Sequence, residues 1–251
     1  MTNWVKANII KLNQWNNKLF SIILSANINP FIAGQFTKLC INNKKNKDKI
    51  QRAYSYVNSP NSKNLEFYIV SIPNGKFTKK LINMNCDDEI LISKESSGFF
   101  TLNQIPSSNL LWMIATGTGI GPYLSILQYG GKELNKFNKI ILIYAVSYFE
   151  DISYLNLINK LKTKYKNKLH VEFILSREKK QNILYGHIPQ LIEEGFIEDK
   201  VENYIEKENS HIMLCGNPGM VHDTRKFLIE NKNMRKNLRK LQGHITSEHY
   251  W

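Results

Sequence analysis

Two stretches of this chain hold residue types at spacings that can do chemistry. The first runs Gly117-Thr118-Gly119-Ile120-Gly121-Pro122 and follows an unbroken apolar run, Leu110 to Ala115. A buried strand, a glycine turn and a proline at the start of a helix make a place for a phosphate. Glycines let the backbone come close, while unpaired N–H groups and the helix dipole favour an anion. The spacing is Gly-x-Gly-x-Gly rather than the Gly-x-Gly-x-x-Gly of the common dinucleotide fingerprint, so a plain tight connection stands beside the phosphate reading. The second stretch is Arg52-Ala53-Tyr54-Ser55. On a strand, Arg52 and Tyr54 share one face and Ser55 points to the other. An arginine beside a tyrosine suits a phosphate together with a stacked ring, although an exposed Arg and a core Tyr on one strand are common on their own.

The elements that must position these residues fall into two halves. Strands are predicted at Trp4–Gln14, Leu19–Asn27, Gln35–Ile41, Ile50–Tyr56, Leu65–Ile72 and Glu89–Ser93, divided by Asn, Gly and Pro, with one helical piece at Phe77–Met84. Six short strands at this spacing predict a closed antiparallel barrel. The polar run 101–109 reads as a linker. Beyond it, strands at Leu110–Ala115, Lys139–Val146, Leu169–Leu175 and His211–Cys215 alternate with helices at Pro122–Tyr129, Ile152–Tyr165, Pro189–Glu194 and Pro218–Glu230. That alternation predicts a doubly wound parallel sheet. The fold class is therefore β followed by α/β, with domains at residues 1–103 and 104–251. Asp151 is expected to cap the helix Ile152–Tyr165, and the run 42–47 reads as a solvated hairpin tip.

Composition narrows the function. A formal net charge of +13 over 251 residues suggests an acidic partner or a phosphorylated cofactor, with a general drift towards Lys and Asn as the bland alternative. Cys40, Cys86 and Cys215 are widely spaced and form no metal motif. The start of the chain lacks a secretory h-region and no apolar run reaches membrane-spanning length, so the expected location is the cytoplasm.

Four motifs in order carry a resemblance. Arg52-Ala53-Tyr54-Ser55 resembles the Arg-x-Tyr-Ser flavin motif of the ferredoxin–NADP reductases. Gly117 to Pro122 resembles that family's Gly-Thr-Gly-x-(Ala/Gly)-Pro loop, Cys215-Gly216 its late Cys-Gly pair, and Tyr250-Trp251 its aromatic end. The runs 33–39 and 52–60 are similar to the bacterial ferredoxin/flavodoxin reductases in particular.

The resemblance implies a barrel that binds FAD and a second domain that binds NADP(H). It assigns FAD to Arg52, Ala53, Tyr54, Ser55, Tyr68, Lys76, Phe77, Thr78, Thr118, Tyr250 and Trp251, with Trp251 covering one flavin face. It assigns NADP to Val146, Ser147, Ser176, Arg177, His187, Asn217, Pro218 and Gly219. Ser55, Cys215 and Trp251 are the implied catalytic residues. Arg177 is the first candidate for the 2′-phosphate. Ser147 and His187 stand where close relatives tend to carry Arg, which implies weaker or pH-sensitive NADPH binding, and Lys179 and Lys180 are placed to compensate. Read from the residues alone, Cys215 is as readily a small core residue, Glu248 a solvated surface acid, and Asn217 a helix cap before Pro218.

The implied activity is electron transfer between NADPH and a ferredoxin or flavodoxin, an acidic carrier steered by the basic surface, with the enzyme a monomer that needs neither nucleic acid nor membrane. One rival is an NAD(P)H:flavin oxidoreductase that releases reduced flavin. Another is a basic nucleic-acid-binding module, which leaves the glycine loop of the second domain unexplained.

Overall fold

Alternation of buried and exposed side chains shapes the first half of the chain. In the computed structural model, which describes residues 2–42 and 49–250, Ala7 and Ile9 turn inward from a strand whose neighbours face water. The strands are β1 (Trp4–Gln14), β2 (Leu19–Ser25), β3 (Phe36–Asn42), β4 (Lys49–Ser55) and β5 (Leu65–Val70), then a short helix α1 (Lys76–Leu81) and β6 (Glu89–Ser93). They pair antiparallel in the order β4-β3-β6-β1-β2-β5. The two ends of that order meet at the Tyr56–Phe67 bridge and at a hydrogen bond from Val57 N–H to the Glu66 carbonyl, 2.9 Å, so the sheet is nearly closed into a barrel. Its interior is filled by Ile9, Phe20, Ile22, Leu24, Leu39, Tyr56, Phe67 and Ile92.

The six predicted strands are all present. Helix α1 ends at Leu81 rather than Met84. The expected hairpin tip at 42–47 lies outside the described residues apart from Asn42 at the end of β3.

The chain divides into two compact units, residues 1–101 with 121–129, and residues 102–120 with 130–251. The helix α2 (Gly121–Tyr129) thus belongs to the barrel unit. Its Ser125 hydroxyl donates to the Asn58 carbonyl at 2.6 Å, and its Gln128 amide donates to the Val57 carbonyl at 2.7 Å.

The second unit is a parallel sheet of β7 (Leu110–Thr116), β8 (Lys139–Val146), β9 (Leu169–Leu175), β10 (Leu184–Tyr185), β11 (Ser210–Gly216) and β12 (Ile245–His249). The order is β10-β9-β8-β7-β11-β12. Around it lie α3 (Leu155–Tyr165), α4 (Ile188–Glu193), α5 (Phe196–Val201) and α6 (Pro218–Asn231). The runs LLWMIA, IILIYAV and HIMLCG are apolar without alternation because these strands are buried on both faces. One face carries Trp112, Ile114, Ile141, Ile143, Ile212 and Leu214 into a core with residues of α4, α5 and α6.

Three features depart from the sequence reading. Helix α3 begins at Leu155, not Ile152, because a 3-10 turn at Phe149–Asp151 and a left-handed Tyr154 (φ 61°) precede it. The Asp151 carboxylate accepts the Tyr148 N–H at 3.1 Å and so closes that turn instead of capping α3. The elements β10, α5 and β12 were not expected, and the segment 245–249 pairs into the sheet as a strand.

Candidate functional site

Strand order reverses at β7: the chain goes on to β8 on one side and returns to β11 on the other. In open α/β sheets ligands bind where such strands end. The carboxyl end of β7 carries the glycine turn, here a 3-10 turn at Gly117–Ile120, and the carboxyl end of β11 carries Cys215 and Gly216.

Each glycine answers a different demand. Gly117 has φ +52° and open space where a Cβ would stand. Gly119 is different. A Cβ there would meet the Cys215 carbonyl oxygen at 2.5 Å, so this glycine lets the turn pack on β11. At that position the tight-connection reading of the turn applies. Gly216, at φ +129°, would bring a Cβ to 2.2 Å from Thr116 Oγ1. Thr116 itself accepts the Asn217 N–H at 2.7 Å and ties the ends of β7 and β11 together. The sequence reading missed Thr116; its signal was a hydroxyl residue directly before the glycine turn.

Asn217 caps α6, its side-chain oxygen accepting the Met220 N–H at 3.1 Å, with Pro218 and Gly219 as the first helical residues. Thr118 is buried within the turn.

Cys215 is fully buried and stands opposite Glu248 in the β11–β12 register. Glu248 is no solvated surface acid: its Oε2 is buried without a hydrogen-bond partner among the described residues, and burial pushes its carboxyl up to about 7. Burial first, and Glu248 second, push the Cys215 thiol well above the ordinary range, while a hydrogen bond with the Tyr250 side chain pulls the other way. The Tyr250 N–H donates to the Gly216 carbonyl at 2.9 Å, fixing the end of the chain to β11. Trp251 lies outside the described residues.

Along the same sheet edge, the residues expected to hold the second nucleotide come together. Ser176 N–H donates to the Val146 carbonyl and Arg177 N–H to the Ser147 carbonyl, both at 3.0 Å. Arg177 is exposed. Gly186 N–H donates to the Leu175 carbonyl, which brings the exposed His187 to this edge as the residue before α4. Glu178, another residue the sequence reading missed, accepts the Phe149 N–H at 2.7 Å. Lys180 lies 3.4 Å above the Phe149 ring and Lys179 5.1 Å from the Tyr185 ring, so both lysines are held against aromatic side chains beside Arg177.

In the barrel unit, Arg52 and Ala53 are exposed, Tyr54 is half-buried and Ser55 is buried, as the two faces of β4 require. Arg52 donates to the Gln51 carbonyl at 2.8 Å. The Tyr54 and Phe77 rings lie 5.7 Å apart, which joins β4 to α1. Burial raises the Tyr54 hydroxyl and Arg52 opposes it, so the phenol stays protonated. Lys76 opens α1 exposed, Phe77 and Thr78 face inward, and no side chain caps the helix start. Tyr68 is buried on β5.

A nearly closed antiparallel barrel with an Arg–Tyr strand, and a parallel sheet with a glycine turn at its switch point, define a flavin- and nicotinamide-nucleotide-dependent oxidoreductase. Residues 9–99 match the family described as oxidoreductase FAD-binding domain, and residues 113–226 match the oxidoreductase NAD-binding domain. Over its full 251 residues the chain is 56% identical to the flavodoxin/ferredoxin–NADP reductase of Buchnera aphidicola subsp. Baizongia pistaciae, and 46% identical to that of Escherichia coli K12, covering 100% of each. A crystal structure of a ferredoxin NADP+ reductase from Neisseria gonorrhoeae with bound FAD and NADP superposes with a TM-score of 0.89 at 28% identity, covering 99% of both chains. The chain belongs to the flavodoxin/ferredoxin–NADP reductase family.

Proposed function

We propose that this chain moves electrons between NADPH and a ferredoxin or flavodoxin, with FAD as its resident cofactor. The observation that carries the reading is the meeting, at one switch point, of an open glycine turn and the Cys215–Glu248 pair. The residues fit the two nucleotides. Gly117 leaves a cradle that a Cβ would begin to fill, and the first turn of α1 has no side-chain cap. Arg52 is exposed beside Tyr54, as a pyrophosphate and a ring system together require.

When bound, FAD supplies the conversion between a two-electron hydride and single electrons. The chain's own part is to hold and orient. Arg52 and Lys76 would neutralise the flavin pyrophosphate, the N–H groups at the start of α1, at Lys76, Phe77 and Thr78, would donate to it, Tyr54 would stack on the ring system, and Tyr68 would make a further flavin contact. Ser55 places a hydroxyl near the reacting ring, and Ala53 keeps the strand face open. Thr118 contacts both nucleotides, and the aromatic end, Tyr250-Trp251, gives a flat surface for a ring. Arg177 binds the 2′-phosphate with Ser176, Ser147 and His187 beside it; Val146, Asn217, Pro218 and Gly219 shape the rest of that site. Cys215 presents a neutral thiol, and Glu248 holds or releases a proton near neutral pH.

The partner is an acidic carrier protein attracted by the net charge of +13. Among the described residues no helix is long and apolar enough to cross a membrane, and the reading places the enzyme in the cytoplasm as a monomer, with no nucleic-acid or membrane partner.

The test is a visible absorption spectrum of the purified protein, followed by NADPH or NADH without oxygen. A flavin spectrum that bleaches far better with NADPH is the expected result. A colourless protein that takes up no added FAD overturns the reading. Equal bleaching by both keeps the flavoenzyme and removes the role given to Arg177.

A further inference from the structure

At the other end of the parallel sheet, where β7 and β11 begin, lies a cleft of about 390 Å³. Lys207, Arg235, His244 and the buried His211 line it, with Ser107 and Glu208 on its wall. Strand β11 spans seven residues, so this cleft stands about 20 Å from the glycine turn. Nothing in the activity above uses it.

Its hydrogen-bonding capacity is unbalanced towards donors. Among the described residues Lys207 Nζ makes no hydrogen bond or ion pair. Arg235 spends only its Nε, on the Gln242 carbonyl at 3.0 Å, and its two terminal nitrogens keep their protons free. His244 Nδ1 accepts the Arg235 N–H at 3.1 Å, which places the ring proton on Nε2 as another donor. His211 is 1% exposed. Its Nε2 pairs with Thr246 Oγ1 at 2.9 Å, whereas its Nδ1, beside the Gly243 backbone, makes no hydrogen bond of acceptable geometry. Two cations and an imidazole N–H line one cleft against the single carboxylate of Glu208, and a compact oxyanion is the ligand that meets several donors at once.

We propose that this cleft is a second anion site, one that takes a small phosphate-class dianion.

Burial holds the His244 pKa down, Arg235 and Lys207 add to that and Glu208 opposes it; His211, which burial, His244 and Lys136 hold down, faces it from β11. A dianion seated among them reverses the effect of the cations and raises the His244 pKa.

The experiment is a titration of the FAD-loaded protein with sodium phosphate, followed through the His244 ring resonance, so that phosphate held elsewhere on the chain is not counted. A His244→Gln variant assigns the signal. The expected result is a saturable shift with a raised His244 pKa, and a loss of affinity of about tenfold in Lys207→Gln and in Arg235→Gln, the worth of one charge-assisted hydrogen bond. Lys207 makes no internal bond, so its variant keeps the fold even where Arg235→Gln disturbs the turn to Gln242. No saturable shift, or the same affinity in Lys207→Gln, overturns the proposal. Repeating the titration with glycerol phosphate separates the sources. Tighter binding assigns an organic phosphate, and equal or weaker binding assigns inorganic phosphate; either supports the site.

Discussion

Cys215 on β11 and Glu248 on β12 face each other in register, and Glu248 Oε2 is buried there without a hydrogen-bond partner among the described residues. The pair sets a neutral thiol beside an acid whose carboxyl is pushed up to about 7. A carboxyl with that value can both hold and release a proton near neutral pH, which is what a redox reaction that takes up and gives off protons requires.

Glu248 costs the protein stability as pH rises. Its folded value, about 7, lies above the ordinary 4.5. The folded state then binds more protons than the unfolded state between those values, so stability is greatest below 4.5 and declines up to 7. In Glu248→Gln that decline is absent. Measured by denaturant unfolding, the variant should gain on the natural protein by up to roughly 3 kcal/mol across the window. The pH profile of NADPH oxidation should also lose its inflection near 7.

The three thiols differ in reach. Cys86 is exposed, whereas Cys40 and Cys215 are buried and burial raises both of those thiols. Iodoacetamide at neutral pH should label Cys86 first, and the other two only on unfolding, as peptide mass spectrometry will show.

The glycines should rank by what surrounds them. Gly216→Ala places a Cβ at 2.2 Å from Thr116 Oγ1 in a left-handed conformation, and Gly119→Ala places one at 2.5 Å from a carbonyl oxygen. Gly117→Ala meets nothing within 4 Å, and its cost is about 1–2 kcal/mol of left-handed backbone. Thermal unfolding should leave Gly117→Ala close to the natural protein and the other two far below it. Nucleotide affinity reads the reverse comparison, since Gly117 borders open space.

Arg177 is exposed beside Ser147 and Ser176. Removing a charge-assisted contact to a 2′-phosphate costs roughly 1.5–3 kcal/mol. Arg177→Ala should therefore raise KM for NADPH about tenfold to a hundredfold and leave KM for NADH nearly unchanged. Steady-state kinetics with both nucleotides decide it.

With a net charge of +13, association with an acidic carrier should be steered by the field of the whole chain. Turnover with ferredoxin or flavodoxin should fall as salt rises, while the reduction of a small neutral acceptor holds steady. Turnover with the carrier that ignores salt removes the steering role.

Residue order alone determined much of this protein. The glycine turn, the Arg52–Ser55 strand and the Cys215-Gly216 pair are local, and so are the unalternating apolar runs that need cover on both faces. Local pattern fixes local structure, and the barrel strands and the strand–helix alternation were legible for that reason. Tertiary structure decided what non-local pairing controls. Segment 245–249 carries no strong strand signal, and it becomes β12 only because β11 offers it a parallel edge. That pairing removes Glu248 from water and sets it against Cys215. The packing of Gly119 on the Cys215 carbonyl, and the bond from Asn217 to Thr116, join residues about a hundred positions apart. Sequence spacing holds no trace of such contacts, because burial and charge are properties of the assembled sheet and not of any one segment.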